Sequence, residues 1–207
     1  LAGFQYILHT MNNSEIILFP TESVYGLGVN PFDGEALEQL YTLKGRAGDK
    51  TVSWLVRSVS DIERYAFLND TARRLAGQFL PGPLTLVLKL RPLYLQFGAS
   101  DGTIGFRMTT DPVAMQLIDG WFMTHDAPLT ATSANVSGLE TQHTLTAILA
   151  QFGDRSSLIT TVVDDGIRAG QPSTVVRVHD DGTVTILRES AIAASIIAAA
   201  CSLASSV

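Results

Sequence analysis

Cysteine is nearly absent. Cys201 is the one thiol in 207 residues, which excludes an internal disulfide and a multi-thiolate metal site and fits a reducing compartment. Charge is scarce too: charged residues make up 16% of the chain, against about 25% in an average soluble domain. The 14 Lys and Arg are outweighed by 20 Asp and Glu, giving a net charge of −6. That balance argues against gripping nucleic acid through overall charge, while leaving room for a local basic pocket. No apolar run reaches the roughly 20 residues that span a bilayer. The longest weakly polar stretch, Ala191 to Val207, is 17 residues rich in Ala and Ile with Ser and Cys scattered through it, which suits a packed helix over about 191–204. The N-terminus has neither the basic lead nor the small-residue cleavage pattern of a signal peptide, so a cytoplasmic protein is expected, with no membrane partner.

Several chemistries are missing as well. His9, His125, His143 and His179 lie far apart with no HxH or HExxH spacing, so they read as surface or locally satisfied histidines, and no protein metal site is expected. Neither GxGxxG nor GxxxxGK[ST] occurs, so any phosphate must be held by other means than the two common glycine loops. The acidic pairs Asp164-Asp165 and Asp180-Asp181 each precede a glycine and read as turn formers.

What is present is 46% apolar residues, enough for a sizeable core, arranged as short β-rich runs alternating with amphipathic segments. Strands are expected at Ile16 to Phe19, Val52 to Val56, Leu84 to Lys89, Ile104 to Met108, Leu129 to Thr132, Leu158 to Val163, Thr174 to Val178 and Thr183 to Leu187. The last two flank an Asp-Gly hairpin signal. Helices are expected at Glu35 to Leu43 after Asp33 as N-cap, Thr71 to Leu80 after Asp70, Pro112 to Asp119 and Thr144 to Phe152. With no repeat or linker, residues 1–207 read as one α/β domain with a twisted mixed sheet flanked by helices.

The candidate chemistry sits in loops that follow strands. FPTESVYGLGVNP (Phe19 to Pro31) presents Thr21, Glu22 and Ser23, and its Gly26 and Gly28 permit close backbone approach. LKGRAGDK gathers Lys44, Arg46 and Lys50, which taken alone reads equally as a solvated face. PLTATSANVSG (Pro128 to Gly138) supplies Thr130, Thr132, Ser133, Asn135 and Ser137, with Thr141 just beyond. These groups can hydrogen-bond phosphate without adding charge. PSTVV (Pro172 to Val176) and Arg188 at the end of the last strand complete the set.

With FLPGPLTLVL, IGFRM and ILR, these strings stand in the order found in the YrdC-like threonylcarbamoyl-AMP synthases, and the chain resembles that family from about 16 to 188. The resemblance implies a deep basic cavity. It also implies condensation of ATP, L-threonine and bicarbonate to threonylcarbamoyl-AMP and pyrophosphate. Mg²⁺ would be bound with ATP, and the product would pass to the threonylcarbamoyl transferase machinery that modifies tRNA to t6A at position 37. Carried over by motif, Lys44, Arg46 and Lys50 would be the catalytic cations, with Arg46 and Lys50 on the ATP phosphates. Thr103, Ser133, Asn135, Thr141 and Arg188 would complete the ATP site. Ser23, Arg107, Ala131 and Ser173 would hold threonine.

The sequence departs from the family pattern at Leu55, where many members have histidine, at Ala47 in place of proline, at Ser23, and at LRES in place of LRPG. Leu55 would then supply an apolar wall to the threonine site. Longer members carry a linker and a second domain, for which this length leaves no room. A non-enzymatic RNA-binding module of the same fold and a carbamoyl-transfer domain of a larger enzyme are the alternatives.

Overall fold

The computed structural model describes residues 15–46 and 51–202. Nine strands form one mixed sheet: β1 Ile17–Phe19, β2 Gly26–Gly28, β3 Ser53–Leu55, β4 Leu84–Lys89, β5 Thr103–Arg107, β6 Leu129–Ser133, β7 Thr161–Val162, β8 Thr174–Val178 and β9 Val184–Arg188. Their spatial order is β7-β1-β2-β6-β3-β5-β4-β8-β9. β1 with β7, β3 with β5 and β4 with β8 run parallel, and the other neighbours antiparallel. The helices are α1 Gly34–Lys44, α2 Val59–Tyr65, α3 Asp70–Phe79, α4 Pro112–His125, α5 Leu145–Phe152 and α6 Ala194–Ser202, with 3₁₀ turns at Pro92–Phe97 and Gly153–Leu158. No helix among the described residues is long and apolar enough to cross a membrane.

Continuous apolar strands arise here because both faces of the sheet are covered. On β1, Ile17 and Phe19 enter a core with Trp54, Leu86, Phe106 and Trp121, while Leu18, and Ile16 just before the strand, enter a second core with Leu27, Leu40 and Ile148. Each such fully buried Leu or Phe contributes about 1.5–3 kcal/mol of transfer free energy.

Local signals account for most element ends. Asp33 caps α1 by accepting from the Glu35 and Ala36 N–H groups, and Gly45 closes it in the left-handed conformation at φ 57°. In the β8–β9 turn, Asp181 accepts from the Thr183 N–H and hydroxyl, and Gly182 takes φ 82°.

The structure corrects several expectations. Gly26–Gly28, read as loop, is strand β2, because glycine lets it lie against its neighbour: a Cβ on Gly28 would sit 2.7 Å from the Thr130 carbonyl oxygen. α3 is capped by Asn69, whose side chain accepts from Ala72 N–H, and Asp70 is its first residue. α4 continues to His125, since Gly120 inside it costs only about 1 kcal/mol and Leu117, Trp121 and Phe122 bury its face. The run Leu158 to Val163 divides into the end of a 3₁₀ turn and the two-residue β7. α2 had no counterpart in the sequence reading; its cap is Ser58, accepting from Asp61 N–H.

Candidate active site

Strand ends and the loops after them converge on a cavity of about 340 Å³. Ser23, Arg46, Arg107, Ala131, Ser133, Thr141, Ser173 and Arg188 all line it, although they come from segments as far apart as 23 and 188 in sequence. Its charged lining residues among those described are Arg46, Arg107 and Arg188. Three guanidiniums thus gather at one cavity, and a guanidinium is the side chain that can clamp a carboxylate or phosphate through parallel hydrogen bonds.

The end of α1 delivers the first cation. The left-handed turn at Gly45 directs Arg46 N–H back to the Tyr41 carbonyl, and the Arg46 side chain then reaches the cavity with Nη2 donating to the Thr51 carbonyl at 2.9 Å. Lys44, one residue before the turn, goes elsewhere. It is 2% exposed, lies outside the lining, and donates to the backbone carbonyls of Ser133 and Asn135. Burial first, and then the charge of Arg46, push its ammonium down to about 7. Lys44 therefore holds the Ser133–Asn135 turn against the end of α1.

Asn135 also lies outside the lining. Its side chain accepts from the Ser133 hydroxyl at 2.5 Å and donates to the Val136 and Leu139 carbonyls, which shapes the loop. Thr103 begins β5 and Arg107 ends it, so at about 3.3 Å per residue the two stand roughly 13 Å apart. The Thr103 hydroxyl donates to Asp101 Oδ1 at 2.7 Å, away from the cavity. Lys50 and Ala47 lie outside the described residues, as does His9.

On the opposite wall Arg107 Nη2 donates to Glu22 Oε1 at 2.7 Å, and the Thr109 hydroxyl donates to the other carboxylate oxygen. Nε of Arg46 and Nε of Arg107 are buried without a hydrogen-bond partner. A buried donor left without a partner costs about 1–3 kcal/mol. Arg188 donates from Nε and Nη2 to the Ser173 carbonyl at 3.1 and 2.8 Å. Burial, and secondarily the nearby Arg107, shift its pKa down.

Sequence reasoning missed part of the lining. Thr21 and Thr132, from loops already singled out, line it as expected, whereas Ser53 and Thr85 were not anticipated; the Thr85 and Ser173 hydroxyls lie 2.8 Å apart. The signal was available: Ser53 and Thr85 interrupt otherwise apolar strands. Gly105 on β5 makes room for both, since a Cβ there would lie 2.7 Å from Ser53 Oγ and 2.9 Å from Thr85 Cγ2. Leu55, expected as an apolar wall, is 1% exposed, belongs to the main core and is not a lining residue.

A family model for Sua5/YciO/YrdC, described as "Telomere recombination", matches residues 9–190. The chain belongs to this family. One relative, the putative threonylcarbamoyl-AMP synthase of Methanocaldococcus jannaschii, is 33% identical over 185 residues, covering 88% of this chain and 83% of its own. The threonylcarbamoyl-AMP synthase of Bacillus subtilis is 33% identical over 178 residues, 83% of this chain and 49% of that protein. Among solved structures, Pyrococcus abyssi Sua5 complexed with L-threonine superposes with a TM-score of 0.83 at 28% identity, covering 95% of this chain and 56% of that one. The chain thus spans about half the length of the Bacillus and Pyrococcus proteins. Escherichia coli YciO shares the fold at 23% identity and a TM-score of 0.79, with 92% and 90% of the two chains covered.

Proposed function

We propose that this chain is a threonylcarbamoyl-AMP synthase, condensing L-threonine, bicarbonate and ATP with release of pyrophosphate in the cytoplasm. The product would feed the transferase machinery that installs t6A37 on tRNA. The observation that carries this reading is the gathering of Arg46, Arg107 and Arg188 with the hydroxyls of Ser23, Ser133, Thr141 and Ser173 around one cavity. The naming of the relatives supports it.

The threonine amine, unprotonated, combines with bicarbonate to give N-carboxythreonine and water. An oxygen of the new carboxylate attacks the α-phosphorus of ATP, and the bond from that phosphorus to the bridging oxygen breaks as pyrophosphate leaves. Nothing in this sequence requires a covalent enzyme intermediate. The protein contributes position, replacing a bimolecular encounter, and fixed positive charge where the phosphates gain negative charge. Arg46 and Arg188, with Lys50, take the phosphate side. Arg107, Ser23, Ser173 and the backbone at Ala131 take the amino acid.

Mg²⁺ enters as part of the MgATP substrate. The described residues contain no group of three or more His, Cys, Asp or Glu that could cage an ion by themselves, and the hydroxyl lining suits a cation whose ligands are mainly phosphate oxygens and water. Mass spectrometry of a reaction containing ATP, bicarbonate, threonine and Mg²⁺ tests the proposal. Threonylcarbamoyl-AMP with pyrophosphate is expected. Intact ATP after long incubation with folded protein overturns it and favours an RNA-binding module.

A further inference from the structure

Between β7 and β8 the chain runs from Asp164 to Pro172 without contributing one buried side chain. A segment with no apolar anchor is held by its polar contacts alone, and besides a long hydrogen bond from Ala191 N–H to the Pro172 carbonyl these run to lining residues Tyr25 and Ser23 and to His143 and Asp111. The hydroxyl of Tyr25, a lining residue, has two acceptors for its one proton, Asp164 Oδ1 at 3.0 Å and the Gly166 carbonyl at 2.8 Å, and itself accepts from Asp165 N–H at 3.0 Å. Arg168 pairs through its backbone with His143, two residues beyond Thr141: its N–H donates to the His143 carbonyl at 3.0 Å, and its carbonyl lies 2.8 Å from His143 Nδ1. The Arg168 guanidinium joins Asp165 to Asp111 Oδ2, the latter at 3.2 Å, and Asp111 is a buried carboxylate that caps α4.

The fourth contact is between backbones. Gly170 N–H donates to the Ser23 carbonyl at 2.6 Å, and a Cβ on Gly170 would lie 2.7 Å from the Glu22 carbonyl oxygen, 2.8 Å from Ser23 Cα and 2.9 Å from the Ser23 carbonyl oxygen. All three are backbone atoms, which no rotamer change can move aside. The segment therefore presses directly on the backbone of the residues whose side chains are the Ser23 hydroxyl and the Glu22 carboxylate that orients Arg107.

We propose that residues 164–172 are a clasp over the amino-acid side of the cavity, with Arg168 as its clip and Gly170 as the positioning residue that sets Ser23 and the Glu22–Arg107 pair. This rests on the functional reading above for the identity of the substrate. The clasp itself does not depend on it. An exposed segment held only by hydrogen bonds and ion pairs opens at low cost, and a site competent only when closed shows an affinity reduced by the closed fraction. Loosening the clip should therefore raise the threonine KM while saturating threonine restores turnover.

The experiment compares wild type, Arg168→Ala, Arg168→Lys and Gly170→Ala by two readouts. In hydrogen exchange of the unliganded protein, Arg168→Ala should speed exchange in residues 164–172 and also in 21–26, leaving the core strands unchanged. In steady-state synthesis, Arg168→Ala and Gly170→Ala should raise the threonine KM about tenfold with kcat within about twofold, as expected when the competent fraction falls to a tenth. Arg168→Lys, which keeps one ion pair, should recover most of the loss. Unchanged exchange at 21–26 in both Arg168→Ala and Gly170→Ala overturns the clasp, as does a fall in kcat at unaltered KM. If wild type makes no threonylcarbamoyl-AMP, the functional reading fails, and exchange at 21–26 still decides whether the segment sets the Glu22–Ser23 backbone.

Discussion

Arg107 and Glu22 form an ion pair at 2.7 Å on the cavity wall, with side chains only 14% and 17% exposed. The residue that the family resemblance assigns to the substrate carboxylate is thus already held by a carboxylate of the protein. Because Thr109 fixes the second oxygen of Glu22, the pair is a rigid mount that aims the guanidinium. Arg107→Ala is expected to abolish saturable dependence on threonine. Glu22→Gln keeps a hydrogen-bond acceptor but removes the charge, and should raise the threonine KM by about ten- to hundredfold, the usual weight of a hydrogen bond to a charged group. Initial rates over a threonine series check both. A Glu22→Gln enzyme with wild-type KM would return the pair to a purely structural role.

Arg46→Ala removes a cation from the proposed phosphate side of the cavity and should weaken ATP binding by about ten- to hundredfold while leaving threonine affinity within a few-fold. Lys50→Ala is expected to behave in the same way. Titration calorimetry with ATP and then with threonine separates the two effects. Equal losses for both ligands in the Arg46 variant would mean that the variant has disturbed the cavity as a whole.

Lys44 makes stability depend on pH in a definite direction. Its ammonium is held near 7 in the folded chain against 10.5 for an ordinary lysine, so between those values the unfolded chain carries a proton that the folded chain does not. Stability then rises with pH through this window, with a slope of at most about 1.4 kcal/mol per pH unit from this one group. Below pH 7 both states are protonated and the cost of burying the charge is fully present. Lys44→Met deletes the proton, so subtracting its urea-unfolding curves from those of wild type at pH 7, 8 and 9 isolates the slope. A flat difference would show that Lys44 keeps its charge when folded.

Selection of threonine should fall on the hydroxyl lining. A site whose buried polar groups are left unpaired by an analogue rejects it strongly, whereas an apolar pocket discriminates only about 10- to 200-fold per methylene. Ser23→Ala and Thr85→Val should each narrow the preference for threonine over valine, measured by competition under mixed substrates. Wild-type use of valine equal to threonine would overturn polar recognition of the side chain.

The elements whose limits depend on neighbours in sequence were legible from residues alone. Asp33 caps α1, the run LTLVLK is β4 to the residue, and Asp180-Asp181-Gly182 turns β8 into β9. A cap or a turn is settled within a few residues by hydrogen bonds the local chain can make. The loops that carry chemistry were legible for a similar reason, since they are polar stretches following apolar strands. Their roles were not. Lys44 and Arg46 are two residues apart, yet one is buried under the Ser133–Asn135 turn and the other faces the cavity, because helix α1 ends between them. Thr103 directly precedes the motif that holds Arg107, yet the two occupy opposite ends of one strand, and Gly105 on β5 makes the room that Ser53 and Thr85 take beside the site. The sequence by itself therefore determined the α/β class, the Asp33 cap, the β8–β9 turn and the family, while the caps at Asn69 and Ser58 emerged only with the structure. The tertiary structure decided which of those polar groups share one cavity, because strand order and register bring together residues as distant as Ser23 and Arg188, and no local interaction encodes that pairing.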